Sequence, residues 1–503
     1  MLRNERFRRS MAALWCSTLL AAAPAAAQTA SGNAERQPKD DAVALLIGSL
    51  HDKGILSDAE YRTMLTRLSP HSATSASSGV TSTTHAPAAV VTAQEAGSPA
   101  DGVEPAQPQA TVAKGGGRVA AATPADGLRL DAGPVTAIIH ASVNGFYAHV
   151  SGSPDTPQHR VDGGFATVGQ SSSAIRSGFV PGYLKIELAT QQRGWDVGAH
   201  FGFYPGINSV AGQPNLVGVP QAFNVGGLDV RQVYLTLSRP GFGEIKVGRD
   251  IGLFGQDAGG NDFSQLGMGT PPANPAPTNS TLGRIGVGYI YADFMPQITY
   301  STPNLGGLKA SVGVFQPLVT VGQQEVNGTP GFQGRVAYGI TTGRFSATLW
   351  SSGIIQHHDA TLRSGGRSYT GRGIDAGAKL GYDDFALTGY YYTGTALGIA
   401  GLFNAPLGSN LRSRDSHGFY VQPTYRVGRV LLGASYGGSW LDRAEGEPVS
   451  ATVHSNTSWY GGARYSLTDW VTLSGEYVET RSTAQNGNRA VSDAVIAGAI
   501  LAF

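Results

Sequence analysis

The 503-residue chain carries a formal net charge of +1, with only 14% charged residues, 9% aromatics and 70 glycines. The near-zero charge gives no reason to expect a nucleic-acid partner, and a mean hydropathy of −0.10 is too polar for a bundle of membrane helices. It is compatible with membrane strands, whose lipid-facing apolar and lumen-facing polar residues average out.

The N-terminus reads as a secretory signal over residues 1–27. Arg3, Arg6, Arg8 and Arg9 form a basic start, residues 11–23 an apolar core, and Ala25, Ala26 and Ala27 a small-residue cleavage site before Gln28. This apolar stretch is shorter than the ~20 residues of a spanning helix. The only cysteine, Cys16, lies inside it, so the processed chain would contain no disulfide.

Residues 28–68 form a second unit, with a small helical hairpin expected over 41–68. Ala42, Leu45, Leu46 and Leu50 recur near helical spacing, and Gly54 supplies a stop. Ser57-Asp58-Ala59-Glu60 has the form of a capping box, after which Tyr61, Met64, Leu65 and Leu68 share a face. So short a hairpin cannot bury a core alone. A plain periplasmic extension and an oligomerising or wall-binding one are equally consistent with it. Residues 69–126, rich in Ala, Ser, Thr, Pro and Gly, read as a disordered linker.

From 127 to 503 segments of about ten residues alternate apolar and polar side chains, the period-two signal of strands. Ile374, Ala376, Ala378, Leu380 and Tyr382 share one face, and Asp375, Gly377, Lys379 and Gly381 the other. An Asp383-Asp384 turn follows, and Phe385, Leu387, Gly389 and Tyr391 resume the apolar face. Phe419 to Tyr436 repeats this around Gly428-Arg429, and Trp459 to Tyr477 around Thr468-Asp469. Short turns alternate with longer connections such as 443–456 and 481–492. Tyr390-Tyr391-Tyr392, Trp440, Trp459 and Trp470 sit near segment ends as an interfacial girdle would, and the chain closes on Val495, Ala497, Ala499, Leu501 and Phe503. These features predict an all-β, transmembrane antiparallel β-barrel, because open edges are not tolerated in lipid. About sixteen strands are expected, with eighteen as the alternative; the weakest candidate, 284–292, is assigned to a long loop. At that size the lumen is an aqueous channel.

On the polar faces lie Lys185, Lys246, Arg284, Lys309, Arg335, Lys379, Arg426 and Arg464, against Glu187, Asp196, Glu244, Asp250, Asp375 and Glu476. The balance leans basic, which favours anions mildly. Catalysis has no support: no histidine of this region sits in a motif pairing it with a serine, and no G-x-S-x-G elbow occurs. His357-His358 is read as solvated rather than as a metal site.

The stretch 230–315 resembles the general diffusion porins of Gram-negative bacteria. Arg231-Gln232-Val233-Tyr234-Leu235-Thr236-Leu237 is similar to that family's fourth strand, and Gly243-Glu244-Ile245-Lys246-Val247-Gly248-Arg249-Asp250 to its fifth. Residues 251–282 then correspond to the third loop, which folds into the pore. Gly283-Arg284-Ile285-Gly286 resembles the return to the wall, and Tyr300-Ser301-Thr302-Pro303-Asn304-Leu305-Gly306-Gly307 the turn after strand six. The resemblance implies a basic patch of Arg231, Arg249 and Arg284 facing Asp262 on the loop. Lys246 and Asp257 are assigned to the same constriction, with Lys185, Glu187, Arg335 and Lys379 as further lumen-facing charges. Gln265 and Leu266 stand where the family often places a second carboxylate. It also implies an outer-membrane location, lipid contact, a homotrimer and passive flow without cofactor or metal. A substrate-selective channel and an outer-membrane tether, anchored to the cell wall through the N-terminal extension, are the alternatives.

Overall fold

The computed structural model describes residues 127–207, 228–271, 280–360 and 367–503. The signal, hairpin and linker expectations for residues 1–126 therefore lie outside the described residues.

Alternating sequence forms eighteen strands: β1 (Leu128–Ala132), β2 (Val135–Gly152), β3 (Ser172–Arg176), β4 (Tyr183–Gln192), β5 (Trp195–Pro205), β6 (Leu228–Arg239), β7 (Gly243–Ile251), β8 (Phe294–Ser301), β9 (Leu308–Phe315), β10 (Gly331–Thr342), β11 (Phe345–His358), β12 (Tyr369–Tyr382), β13 (Phe385–Thr395), β14 (Asp415–Val427), β15 (Val430–Leu441), β16 (Val453–Ser466), β17 (Val471–Ala484) and β18 (Arg489–Ala502). From β4 to β18 each strand pairs antiparallel with the next. β2 closes the ring, pairing with β18 from Gly152↔Ser492 to Ser142↔Ala502 and with β4 from Ser142↔Tyr183 to Val135↔Thr190. The two shortest strands add no wall position. β3 continues the line of β4 along the upper part of β2, and β1 continues the line of β18 along its lower part. The wall thus has sixteen positions. Arg231–Leu237 and Gly243–Asp250 fall on the fourth and fifth of them, and Tyr300–Gly307 leads out of the sixth. Closure satisfies every edge, the condition lipid imposes.

One end carries tight turns. Gly428 at φ 56° and Asp383 at φ 51° occupy left-handed positions that match the twist of two-residue hairpins. Long connections gather at the other end, with one correction. Residues 481–492 are not a long loop: β17 runs to Ala484 and β18 resumes at Arg489. The third loop is also longer than expected, because after residue 283 the chain stays inside and rejoins the wall only at Phe294.

The two faces sort as the period demands. Val143, Ile298, Val312, Ile374, Val421, Leu432 and Leu473 are exposed outward, whereas Lys185, Arg231, Lys246, Asp375, Arg464 and Glu476 are buried inside. A charge on the lipid face at mid-depth would cost about 2–4 kcal/mol, so this sorting fixes register across the wall. Outward aromatics form two belts. Phe345, Tyr382, Phe385, Tyr425, Tyr465 and Trp470 ring the turn end, and Tyr391, Trp459 and Tyr477 lie toward the loop end. Of the Tyr390–Tyr392 run only Tyr391 is in the girdle. Its neighbours point inward, and Tyr390 packs at 5.7 Å from Tyr420. The Phe503 ring packs tilted against Trp470 at 5.1 Å, and its backbone exchanges two 3.0 Å hydrogen bonds with Ala141, which anchors the chain end to β2.

The apolar core lies inside the barrel, where loops meet wall. Phe254, Ala258, Ile285, Tyr289, Ile290, Leu397, Ala400 and Phe403 from two loops pack against Met295, Phe315, Trp350, Ile354, Tyr390, Tyr392 and Tyr420 of β8–β14.

Candidate pore constriction

The inward loop, residues 252–293, begins where Gly255 at φ 78° lets the chain leave the wall and start a short helix, α1 (Gln256–Gly260). Asp262 caps the next turn by accepting from Ser264 N at 2.9 Å. The same carboxylate accepts from the Arg284 backbone N at 3.1 Å and from the Tyr289 hydroxyl at 3.0 Å, tying the two limbs of the loop together.

Wall side chains then hold the loop by its backbone. Phe254 N donates to Gln333 at 2.9 Å, and Gly255 N to Asp375 at 2.9 Å. The Tyr420 hydroxyl donates to Ala258 O at 2.9 Å. Gln422 accepts from Phe263 N and donates to Asn261 O, both at 2.8 Å. At the tip, Glu476 accepts from Met268 N at 3.0 Å and Gly269 N at 3.1 Å. Arg464 lies 3.9 Å over the Phe263 ring and donates to its carbonyl. Glycines make this seating possible: a Cβ on Gly433 would stand 2.5 Å from the Phe263 ring, and one on Gly267 would overlap the Glu476 carboxylate at 1.5 Å. A buried backbone N–H or C=O without a partner costs about 1–3 kcal/mol, so these bonds decide where the loop sits.

Across the lumen, β4 to β12 carry the basic wall. Lys185, Arg231, Lys246, Lys309, Arg335 and Lys379 all point inward. The Lys185 ammonium sits 4.6 Å from the Tyr183 ring centroid and Arg231 4.5 Å from that of Tyr204. Three cations are matched by carboxylates: Arg231 with Asp229 at 2.6 Å, Lys246 with Asp250, and Arg335 in a two-pronged pair with Asp257 of α1, both contacts 2.6 Å. Glu187 lies 3.7 Å from His200.

The structure therefore brings together Arg335 and Asp257, which sequence had placed in separate groups. Asp262 does not face the basic wall, because its oxygens are consumed within the loop. Arg284 is also not on the wall: it lies on the loop, 1% exposed, and its guanidinium donates to Val287 O and Ser458 O. Arg249 turns away from the lumen, sharing the outward face of its paired neighbours Val233 and Pro296. Its parity with Ile245, Val247 and Ile251 was a readable signal of that. Arg231 shares the parity of the outward Val233 and Leu235, yet it points inward because a bulge between β5 and β6 inserts one extra residue there. Gln333 and Gln422 went unnoticed in sequence, although each is an amide on the inward face of a strand whose other neighbours face lipid. His358 is buried rather than solvated, and among the described residues no group of three His, Cys, Asp or Glu side chains could hold a metal.

Among solved structures, the chain is similar to the outer membrane channel DcaP of Acinetobacter baumannii, at 16% identity and a TM-score of 0.56 over 75% of this chain and 100% of that one. It is similar also to an anion-selective porin from Comamonas acidovorans, at 17% identity and a TM-score of 0.50 over 73% and 100%. At such identities the likeness speaks for the fold alone. Curated protein sequences give no match. The sequence pattern of the Gram-negative porins matches residues 141–485, more than half of the chain. With a closed sixteen-position wall, an apolar outer belt and a loop folded into a charged lumen, this chain belongs to the Gram-negative porin family of outer-membrane β-barrel channels.

Proposed function

We propose that the protein passes ions and small hydrophilic solutes passively through a water-filled channel, narrowed between α1 and the basic wall, with a weak preference for anions. The observation that carries this reading is the division of charge. Asp250, Asp262, Asp375 and Glu476 are all at most 5% exposed. Three of them are spent on holding the loop and the fourth is paired with Lys246. Lys309 and Lys379 stay partly accessible on the opposite wall. Rings of such side chains set ion preference, and a field across the narrow point favours polar solutes over apolar ones. Without bound metal or cofactor in this reading, flux follows the gradient alone.

The assembly this reading implies is a homotrimer packed through apolar outer walls, with the turn end toward the periplasm. The extension over residues 28–126 would serve attachment to the cell wall or assembly. Liposome swelling with a series of neutral sugars tests the channel reading. Uptake falling smoothly with solute size supports a general pore. Saturable uptake of one solute class would favour the selective-channel alternative instead.

A further inference from the structure

A buried polar node outside the constriction fixes the loop between β9 and β10, residues 316–330. Gln356 on β11 grips Leu318 of that loop with both ends of its amide: Leu318 N donates to Oε1 at 3.1 Å, and Nε2 donates to Leu318 O at 2.7 Å. This pair of hydrogen bonds fixes which end of the amide is nitrogen, a choice that is otherwise ambiguous. The same Nε2 lies 2.8 Å from Nε2 of His358. An amide nitrogen has only hydrogens to offer, so His358 Nε2 must be the lone-pair acceptor. The ring proton therefore sits on Nδ1 and is donated to Glu325 of the loop at 2.9 Å.

The imidazole has little freedom to escape this arrangement. It stacks on Tyr369 at 4.4 Å with a 5° tilt, and Phe403 closes its edge at 4.2 Å. The titratable groups facing it are Glu325 from the loop and Tyr369 from β12. Thr320 bridges the two, 2.6 Å from the Tyr369 hydroxyl and hydrogen-bonded to Glu325. His357 points to the other face, toward Thr370 and Asp359.

We propose that His358 is a proton-operated release for the loops at the channel mouth, coupled through Gln356 to Leu318. A proton on Nε2 would confront an N–H of Gln356 with another N–H. The contact is relieved only when the amide turns over, and turning it over sets oxygen against Leu318 O and nitrogen against Leu318 N. Both anchors are then lost together. The Glu325 carboxylate, 2.9 Å from Nδ1, faces the imidazole from the loop. Release passes on, because Val321 N donates to Phe403 O at 3.0 Å and Ala400 O, in the Phe403 loop, accepts from Tyr291 of the constricting loop at 2.9 Å. The steric logic is that of a histidine switch acting on a bistable amide.

The inference rests on the channel reading only for its effect on flux, so the primary test reads the loop itself. Backbone amide exchange is followed in the folded full-length protein in detergent at about pH 7.5 and pH 5, the interval in which imidazoles change charge, with rates corrected for intrinsic pH dependence. We expect protection at Leu318 and Val321 to fall at least about tenfold at pH 5, with protection in β11 and β12 unchanged. His358→Gln, or His358→Asn should the first fail to fold, removes the titrating group, and protection should become the same at both pH values. Unchanged protection in the wild-type protein, or a fall that survives in the variant, overturns the proposal. Conductance recorded in parallel separates the readings: loop release in a protein that does not conduct would leave the switch standing and remove the channel.

Discussion

The two walls flanking the inward loop carry similar residues and use them differently. On β12–β17 the ionisable side chains Asp375, Arg464 and Glu476 are sealed behind the loop and bonded to its backbone. On β4–β10, Arg231 and Lys246 pair with carboxylates of the same wall and Arg335 with a single loop carboxylate. A charge whose bonds go to backbone is there to place the loop, whatever its sign. A charge whose partners are other side chains shapes the field a solute crosses. The difference teaches that counting lumen charges overestimates the electrostatic part of a constriction.

Substitutions on the sealed wall should therefore have the largest effect, and on stability. Glu476→Ala leaves the Met268 and Gly269 N–H groups without acceptors, at a cost of about 1–3 kcal/mol each. We expect a clear drop in the temperature at which the folded band is lost on heat-modifiable electrophoresis, with larger and noisier single-channel currents. An unaltered melting temperature would contradict the division between walls.

Next in size are changes to selectivity on the open wall. Asp257→Asn removes the loop carboxylate paired with Arg335 of the basic wall and should move the reversal potential under a salt gradient further toward anions. Arg335→Gln should move it the other way. For a single charge near a water-filled path we expect a change on the order of twofold in permeability ratio, as effective dielectric screening keeps such terms near 1 kcal/mol or less. Folding should be little affected in either variant, and equal shifts in the same direction would break the comparison.

A smaller effect is expected with pH at the loop end. Burial pushes the Glu325 carboxyl up, but hydrogen bonds from His358 and Thr320 outweigh it and hold the group at about 2, below its ordinary 4.5. A depressed carboxyl stabilises the fold above its unfolded value, and that contribution is lost as pH falls toward the folded one. Thermal unfolding of wild type and Glu325→Gln should thus converge as pH falls from about 5 toward 2. The smallest effect is expected at the exposed Arg129–Asp131 pair near the turn end, where Arg129→Ala should leave the melting temperature unchanged within error.

The wall was readable in sequence because its rule is local. Side chains alternate every second residue, as in Ile374 to Tyr382, and turns such as Asp383-Asp384 and Gly428-Arg429 mark each reversal. The seat of the loop was not readable, because its bonds join residues far apart in the chain: Met268 and Glu476 are separated by 208 positions, Phe263 and Gln422 by 159. The family likeness therefore put Arg284 on the wall facing Asp262, when Arg284 belongs to the same loop as Asp262. The inward turn of Arg231 depended on a bulge, whose extra residue has no signature in the alternation itself. The outward turn of Arg249, by contrast, was present in the parity of Ile245, Val247 and Ile251 and was masked by the family likeness.

The central claim is an open but narrowed aqueous path, and single-channel recording in planar bilayers, with the reversal potential under a salt gradient, tests it most directly. The account predicts stable stepwise openings of the purified, heat-modifiable protein and a reversal potential displaced slightly to the anion side. Correctly folded protein that gives no steps would contradict it, and a strong cation preference would contradict the reading of the two walls.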